Sequence, residues 1–139
     1  MDTETDIEKK KKRLNSFHRV GIRILQLEDQ LEEMKLNKIS PSSSNDGMPK
    51  GNDISDLSDY AANMEKIEQS IKDLKRKRNC IYRDITKRIN AMENVHEKKV
   101  LKYKYIRGMD WERIVVNTEK SYRQVLRIHG RALKNFPLK

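Results

Sequence analysis

The stretch Ser121–Phe136, SYRQVLRIHGRALKNF, decides how the chain is read. With the residue before it, this stretch carries Lys120, Arg123, Arg127, Arg131 and Lys134, at steps of 3, 4, 4 and 3. Such steps place all five cations on one face of a helix that begins near Ser121. Val125, Ile128, Ala132 and Phe136 fall on the opposite face as a core stripe. A helix apolar on one side and cationic on the other, preceded by a shorter helix and a tight turn, has the form needed to lie in the major groove of duplex DNA. A solvated surface helix would carry the same cations, so the residues around the stripe have to decide.

Working outward, Ser121 is placed to cap this helix, accepting from the backbone N–H of Arg123 or Gln124. Pro137 stops it. Before it, Asn117, Thr118, Glu119 and Lys120 read as a turn, and Trp111, Ile114 and Val115 as the apolar side of a short helix capped by Asp110, with Glu112 in its first turn. Gly108 reads as the C′ residue of a helix carrying Val95, Val100, Leu101, Tyr103, Tyr105 and Ile106. The order is helix, glycine, short helix, turn, basic helix, which is a helix-turn-helix with a supporting helix in front.

The chain has 139 residues, 35% hydrophobic and 37% charged. That is too polar for one compact core of this length and suits long exposed helices. The formal net charge is +10, and the segment from Glu93 to Lys139 holds twelve Lys or Arg against five Asp or Glu. The excess favours a polyanionic partner. A single cysteine, Cys80, excludes an internal disulfide and a cysteine zinc site, and a reduced, cytoplasmic setting is expected. Asp2, Glu4 and Asp6 open the chain with no apolar run behind them, so no secretory signal is expected, and no stretch approaches a membrane span.

From Ile7 to Asn37, Phe17, Val20, Ile24, Leu27, Leu31 and Met34 recur at heptad spacing, predicting a helix of roughly 45 Å. Gly21 inside it costs about 1 kcal/mol relative to Ala. The run Lys9 to Arg13 has Asp2, Glu4, Asp6 and Glu8 beside it and reads as a solvated helix start. Residues 39–55, with Pro41, Gly47, Pro49 and Gly51, read as a loop. From Asp56 to Met92, Tyr60, Met64, Ile67, Ile71, Leu74, Ile81, Ile85 and Met92 continue the rhythm, and Arg78 and Arg88 interrupt it. Neither seam is stable alone. The expected fold is therefore all-α: a long antiparallel coiled-coil helical hairpin over 7–92, followed by a C-terminal helix-turn-helix domain over 93–139. The hairpin could close within one chain or between two, as a homodimer.

The stretch Leu101–Leu133, LKYKYIRGMDWERIVVNTEKSYRQVLRIHGRAL, resembles the C-terminal promoter-reading domain of sigma-70-type factors. The resemblance lies in Leu101 and Tyr105 before Gly108, the Trp-Glu-x-Ile of the short helix, Ser121 at the cap, Val125, and Arg131-Ala132-Leu133. With the heptad-rich N-terminus, Met48 to Gly51 as Met-Pro-Lys-Gly, and the Ser55-Asp56 pair, the chain as a whole is similar to phage and prophage regulators of the ArpU and RinA kind, found in Gram-positive bacteria and their mobile elements. The resemblance implies a sigma-like regulator of late or packaging genes that binds double-stranded DNA, and in such a regulator the long helical arm would either dimerise the protein or contact RNA polymerase. Val115-Val116 stands where such motifs usually have a small residue, which bears on the angle between the two helices.

On a recognition helix the first exposed turns reach base edges, here Tyr122, Arg123, Gln124 and Arg127. Arg pairs bidentately with guanine and Gln with adenine, each worth ~1–3 kcal/mol of discrimination. Tyr122 could pack on a thymine methyl or bond a phosphate. Lys120, Ser121, Arg131 and Lys134 suit phosphates, with Arg113 and Thr118 adding contacts from the short helix and turn. Trp111 is expected in the core, and His129 as a packed neutral histidine. His18, His96 and His129 are too scattered for a metal site. No Ser-His-Asp order, glycine-rich phosphate loop or His-Glu-x-x-His element is present, and Glu28, Glu32 and Glu33 read as coiled-coil charges, so neither an enzyme nor a cofactor is expected. Two other readings stay open. One is a small terminase-like phage DNA-packaging protein. The other is a coiled-coil adaptor whose basic end binds an acidic protein.

Overall fold

The computed structural model describes residues 3–39 and 53–139, and all regular structure among them is helical. Helix α1 spans Thr3–Ile39 and α2 spans Asp53–Asn90. Then come α3 (Val95–Leu101), a π-helical turn over Lys102–Ile106, α4 (Trp111–Thr118) and α5 (Tyr122–Asn135). The centre of the expected 39–55 loop, residues 40–52, lies outside the described residues, and with it the Met48–Gly51 segment. The ends of that loop are helical, since Ile39 closes α1 and α2 opens at Asp53.

The chain divides into two compact units, one of Met1–Val20 with Lys77–Lys139 and one of Gly21–Arg76. In the second unit the heptad seams bury Ile24, Leu27 and Ile71, and half-bury Leu31, Met34, Tyr60, Met64, Ile67 and Leu74. Lys75 pairs with Glu28 at 3.4 Å, and the Tyr60 hydroxyl donates to the Met34 carbonyl at 3.2 Å. Both ion-pair partners are largely exposed, so their pairing adds little beside the apolar burial.

In the first unit the seam residues Ile81 and Ile85 and their off-seam neighbours Leu14 and Ile89 are all nearly or fully buried. Asp84 anchors a charged cluster. Arg13 reaches one of its oxygens at 2.7 Å and Arg88 donates to it at 3.0 Å. Burial alone would raise the Asp84 pKa, but the two guanidiniums outweigh that and hold it below 3.8. Arg88 also donates to the Pro137 carbonyl at 3.0 Å, and Lys10 donates to the Lys134 carbonyl at 2.8 Å. The basic start of α1 is thus not purely solvated: Lys10 and Arg13 fasten it to α5 and α2. Arg88, which breaks the heptad seam, occupies that position because it bridges α2 to the carbonyls behind α5. Cations at the C-terminal end of a helix also favour its dipole.

The closing helices pack α5 against α3 and α4. Val100, Met109, Ile114, Val125 and Ile128 form their core, with Tyr103, Trp111 and Val115 partly buried against it. Local sequence sets each boundary. The Asn94 side chain caps α3 by accepting from the Glu97 N–H, and Asp110 caps α4 by accepting from Arg113 N–H at 2.9 Å. Asn117 and Thr118, expected in the turn, instead complete α4. Their side chains donate back to the Arg113 and Ile114 carbonyls at 2.7 Å each, which spends their polar groups inside the last turn of the helix.

The link from the π-helical turn to α4 passes through Gly108 at φ +66, and the ring of His18 lies against its Cα. A Cβ there would sit 3.0 Å from His18 Cε1 in a backbone conformation that disfavours side chains. Gly108→Ala is expected to lower stability by about 1–3 kcal/mol, read as a fall in urea midpoint with unchanged m-value. A neutral result would mean that His18 and this link move freely.

Candidate nucleic-acid interface

Helix α5 begins at a closed cap. The Ser121 hydroxyl accepts from the Gln124 N–H at 3.1 Å, and the Gln124 side-chain oxygen accepts from the Ser121 N–H at 3.1 Å. This reciprocal capping box fixes the angle at which the helix leaves the turn. The turn itself is Glu119 and Lys120. Glu119 takes the left-handed conformation, φ 57, and its N–H donates to the Val115 carbonyl. A non-glycine there costs about 1–2 kcal/mol, whereas glycine pays only its own loss of freedom. Glu119→Gly is therefore expected to stabilise the fold by about 0.5–1 kcal/mol in thermal melting. Destabilisation would show that the Glu119 side chain contributes something beyond the turn.

The inner face of α5 is held firmly. Val125 and Ala132 are fully buried, and Ile128, Leu133 and Phe136 nearly so. His129 stacks edge-on against Trp111, ring centroids 4.8 Å apart, and its Nε2 lies 2.8 Å from the Tyr105 hydroxyl. Burial, then the positive charges of Lys11 and Lys104, lower the His129 pKa to about 4, and burial raises that of Tyr105 to about 12. Both are neutral at pH 7, so the pair shares a hydrogen bond without charge. Lys104 Nζ lies over the Trp111 ring, 4.6 Å from its centroid, a cation–π contact.

The pH consequence has a definite sign. The unfolded chain protonates this histidine near 6.5 and the folded one only near 4. Stability is therefore flat above about pH 6.5, falls between 6.5 and 4, and levels off below that window. With solvent screening at a half-buried ring the loss is on the order of 1–2 kcal/mol. Asp84 adds a second loss at lower pH, because its depressed pKa favours the fold only while it is ionised. Melting curves from pH 8 to 3 should show two stages, and His129→Gln should remove only the first. A His129→Gln chain that keeps both stages would place the first elsewhere.

The outer face of α5 carries Arg123, Arg127, Arg131 and Lys134, all exposed, and Lys120 stands half-buried in the turn. Among the described residues, none of these five has a carboxylate within ion-pairing distance; the ion pairs formed lie on α1 and α2. Arg113 is exposed on α4 and Tyr122 is half-exposed at the start of α5. The remaining expected contacts, Ser121, Gln124 and Thr118, are engaged internally. For Gln124 to grip an adenine with both side-chain atoms it would have to release the capping box.

Three residues outside the sequence-based set join the same surface. Asn94, His96 and Glu97 at the start of α3 line a groove of about 210 Å³ whose other wall is Lys120, Arg127 and Arg131. Glu97 is 5% exposed, and Asn135 donates to its carboxylate at 2.8 Å. A buried carboxylate beside a cationic wall tempers the local field, and the single polar partner explains why a charged residue tolerates burial. No sequence periodicity marks Glu97 for the interior.

Among the described residues no group of three or more His, Cys, Asp or Glu gathers as a metal site. No described helix is long and apolar enough to cross a membrane. Comparison with known proteins gave no matching family model, no matching curated protein and no matching solved structure.

Proposed function

We propose that the chain is a sequence-specific double-stranded DNA-binding transcriptional regulator of a phage or related mobile element. In this reading α4 and α5 act as a helix-turn-helix of the sigma-like, ArpU/RinA-like kind, and α1 with α2 form an antiparallel helical hairpin that dimerises or meets RNA polymerase. The observation that carries the reading is the outward row of Arg123, Arg127, Arg131 and Lys134, unpaired with carboxylates among the described residues, on a helix whose inner face is locked into a core. Phosphate affinity needs cations that are not already neutralised. Base reading needs a helix that does not roll. Arg123 and Arg127, one turn apart at the start of α5, face base edges. Lys120, Arg131 and Lys134 hold phosphates, with Arg113 on the flank. The hairpin draws support from the order of cross-contacts, Arg13 with Asp84 in one unit and Glu28 with Lys75 in the other.

Selection of bound duplexes from a random DNA pool tests this directly, run beside a measurement of solution mass. An enriched sequence is expected, and Arg131→Ala should weaken every duplex and lower the salt slope by about one unit. A pool that emerges without enrichment sinks the reading. A large ring in solution would favour DNA packaging instead.

A further inference from the structure

We infer that Leu126 is a specificity residue that recognises the 5-methyl group of a thymine in the bound duplex. The inference rests on the DNA-reading function proposed above and names one feature of its target.

Leu126 is 40% exposed, and Tyr122, one turn before it, is 50% exposed. An isolated exposed leucine is ordinary on a protein surface. This one stands on the working face. The direction away from the buried line of Val125, Ile128 and Ala132 passes close to Arg123 and Arg127, and the helical period puts Leu126 to one side of that direction and Arg131 to the other. Leu126 therefore belongs to the side of α5 that the cations would bring against a polyanion. In the next turn the same line holds Gly130, where an added Cβ would meet nothing within 4 Å. Nothing from α5 covers Leu126 on that side.

Charge complementarity names the occupant. Arg123 and Arg127 draw in phosphates and guanine edges, so the apolar surface beside them meets a base edge instead of another apolar protein face. In the major groove the apolar group that a base pair offers is the thymine methyl. Leu126 has no donor or acceptor with which to read any other feature. Tyr122 extends the apolar surface toward the helix start, and its hydroxyl remains free for a phosphate.

The test uses the full chain and the duplex enriched by selection. Each thymine of that duplex is exchanged in turn for deoxyuridine, which removes the methyl and leaves base pairing unchanged. At one or two positions the exchange should weaken wild-type binding about fourfold, as expected for one methyl-sized group no longer removed from water. Leu126→Ala should bind the thymine and deoxyuridine forms of those positions equally, with its thermal melting close to wild type. If no exchange weakens the wild type, or if Leu126→Ala keeps the wild-type discrimination, the inference is overturned while DNA reading stands. A chain that retains no duplex overturns both. If Leu126→Ala leaves DNA discrimination intact but turns a dimer into a monomer, the surface belongs to a second copy and the inference fails.

Discussion

Replacing Arg123 and Arg127 together by Ala is expected to erase most of the preference for the selected duplex and to leave random-sequence binding only modestly weakened. Both side chains are exposed in the first two turns of α5, and among the described residues neither is held by a carboxylate. A bidentate arginine–guanine contact is worth about 1–3 kcal/mol of discrimination, so two of them separate the best duplex from a random one by roughly thirtyfold to twenty-thousandfold. The non-specific term depends instead on the number of phosphates neutralised, and Lys120, Arg131 and Lys134 remain to supply it. Titrations of the selected and a scrambled duplex at two salt concentrations separate the effects. An equal loss on both duplexes would mean that the two arginines hold only phosphates, and base reading would pass to other residues.

Ile114→Ala should be the most damaging single truncation among the closing helices. Ile114 is fully buried between Val100, Met109, Val125 and Ile128, where α4 meets both α5 and the helix in front. Removing its outer carbons leaves a cavity that tightly capped short helices cannot collapse around, and the cost is about 3–4 kcal/mol. That is a large part of the stability of an ordinary domain. Every cation of the interface stays in the sequence, so any fall in duplex affinity at temperatures where the chain remains folded reports lost positioning. Denaturant titration gives the first number. A loss under about 1 kcal/mol would show that α4 is not clamped and would undermine α5 as a rigid reader. Val116→Ala, at a side chain 75% exposed on the same helix, is the control and should change little.

The parts of this architecture that sequence reasoning reaches are those governed by local rules. Asp110 and Ser121 cap because a short oxygen-bearing side chain stands one residue before an apolar period, and Gly108 adopts the left-handed conformation that its place after a helix suggests. Val125, Ile128, Ala132 and Phe136 are buried as their spacing requires. The all-helical character follows from the two heptad seams. What escapes is set by partners distant in the chain. Leu14 and Ile89 lie next to the seam positions, and only packing in the first unit turns them inward. Met109 sits in a link too short for any period to show. Glu97 is buried because Asn135, far along the chain, reaches it. The π-helical turn at Lys102–Ile106 has no signature in a sequence that reads as ordinary helix. In the candidate interface the cationic stripe was legible as a pattern, but the internal engagement of Gln124 and Thr118, and the exposure of Leu126, depend on side-chain conformations that spacing does not determine.

The fastening of both long helices to carbonyls at and just past the end of α5, Lys10 to Lys134 and Arg88 to Pro137, bears on how the protein can be dissected. The closing helices are not a detachable cassette. A fragment cut at the start of α3 would shed both of these tethers, and a fusion that grafts only those closing helices onto another protein would inherit a loosened tip. Engineering that respects the fold should keep the first twenty residues and the last turns of α2 with the closing helices, and should look for a cut or an insertion elsewhere.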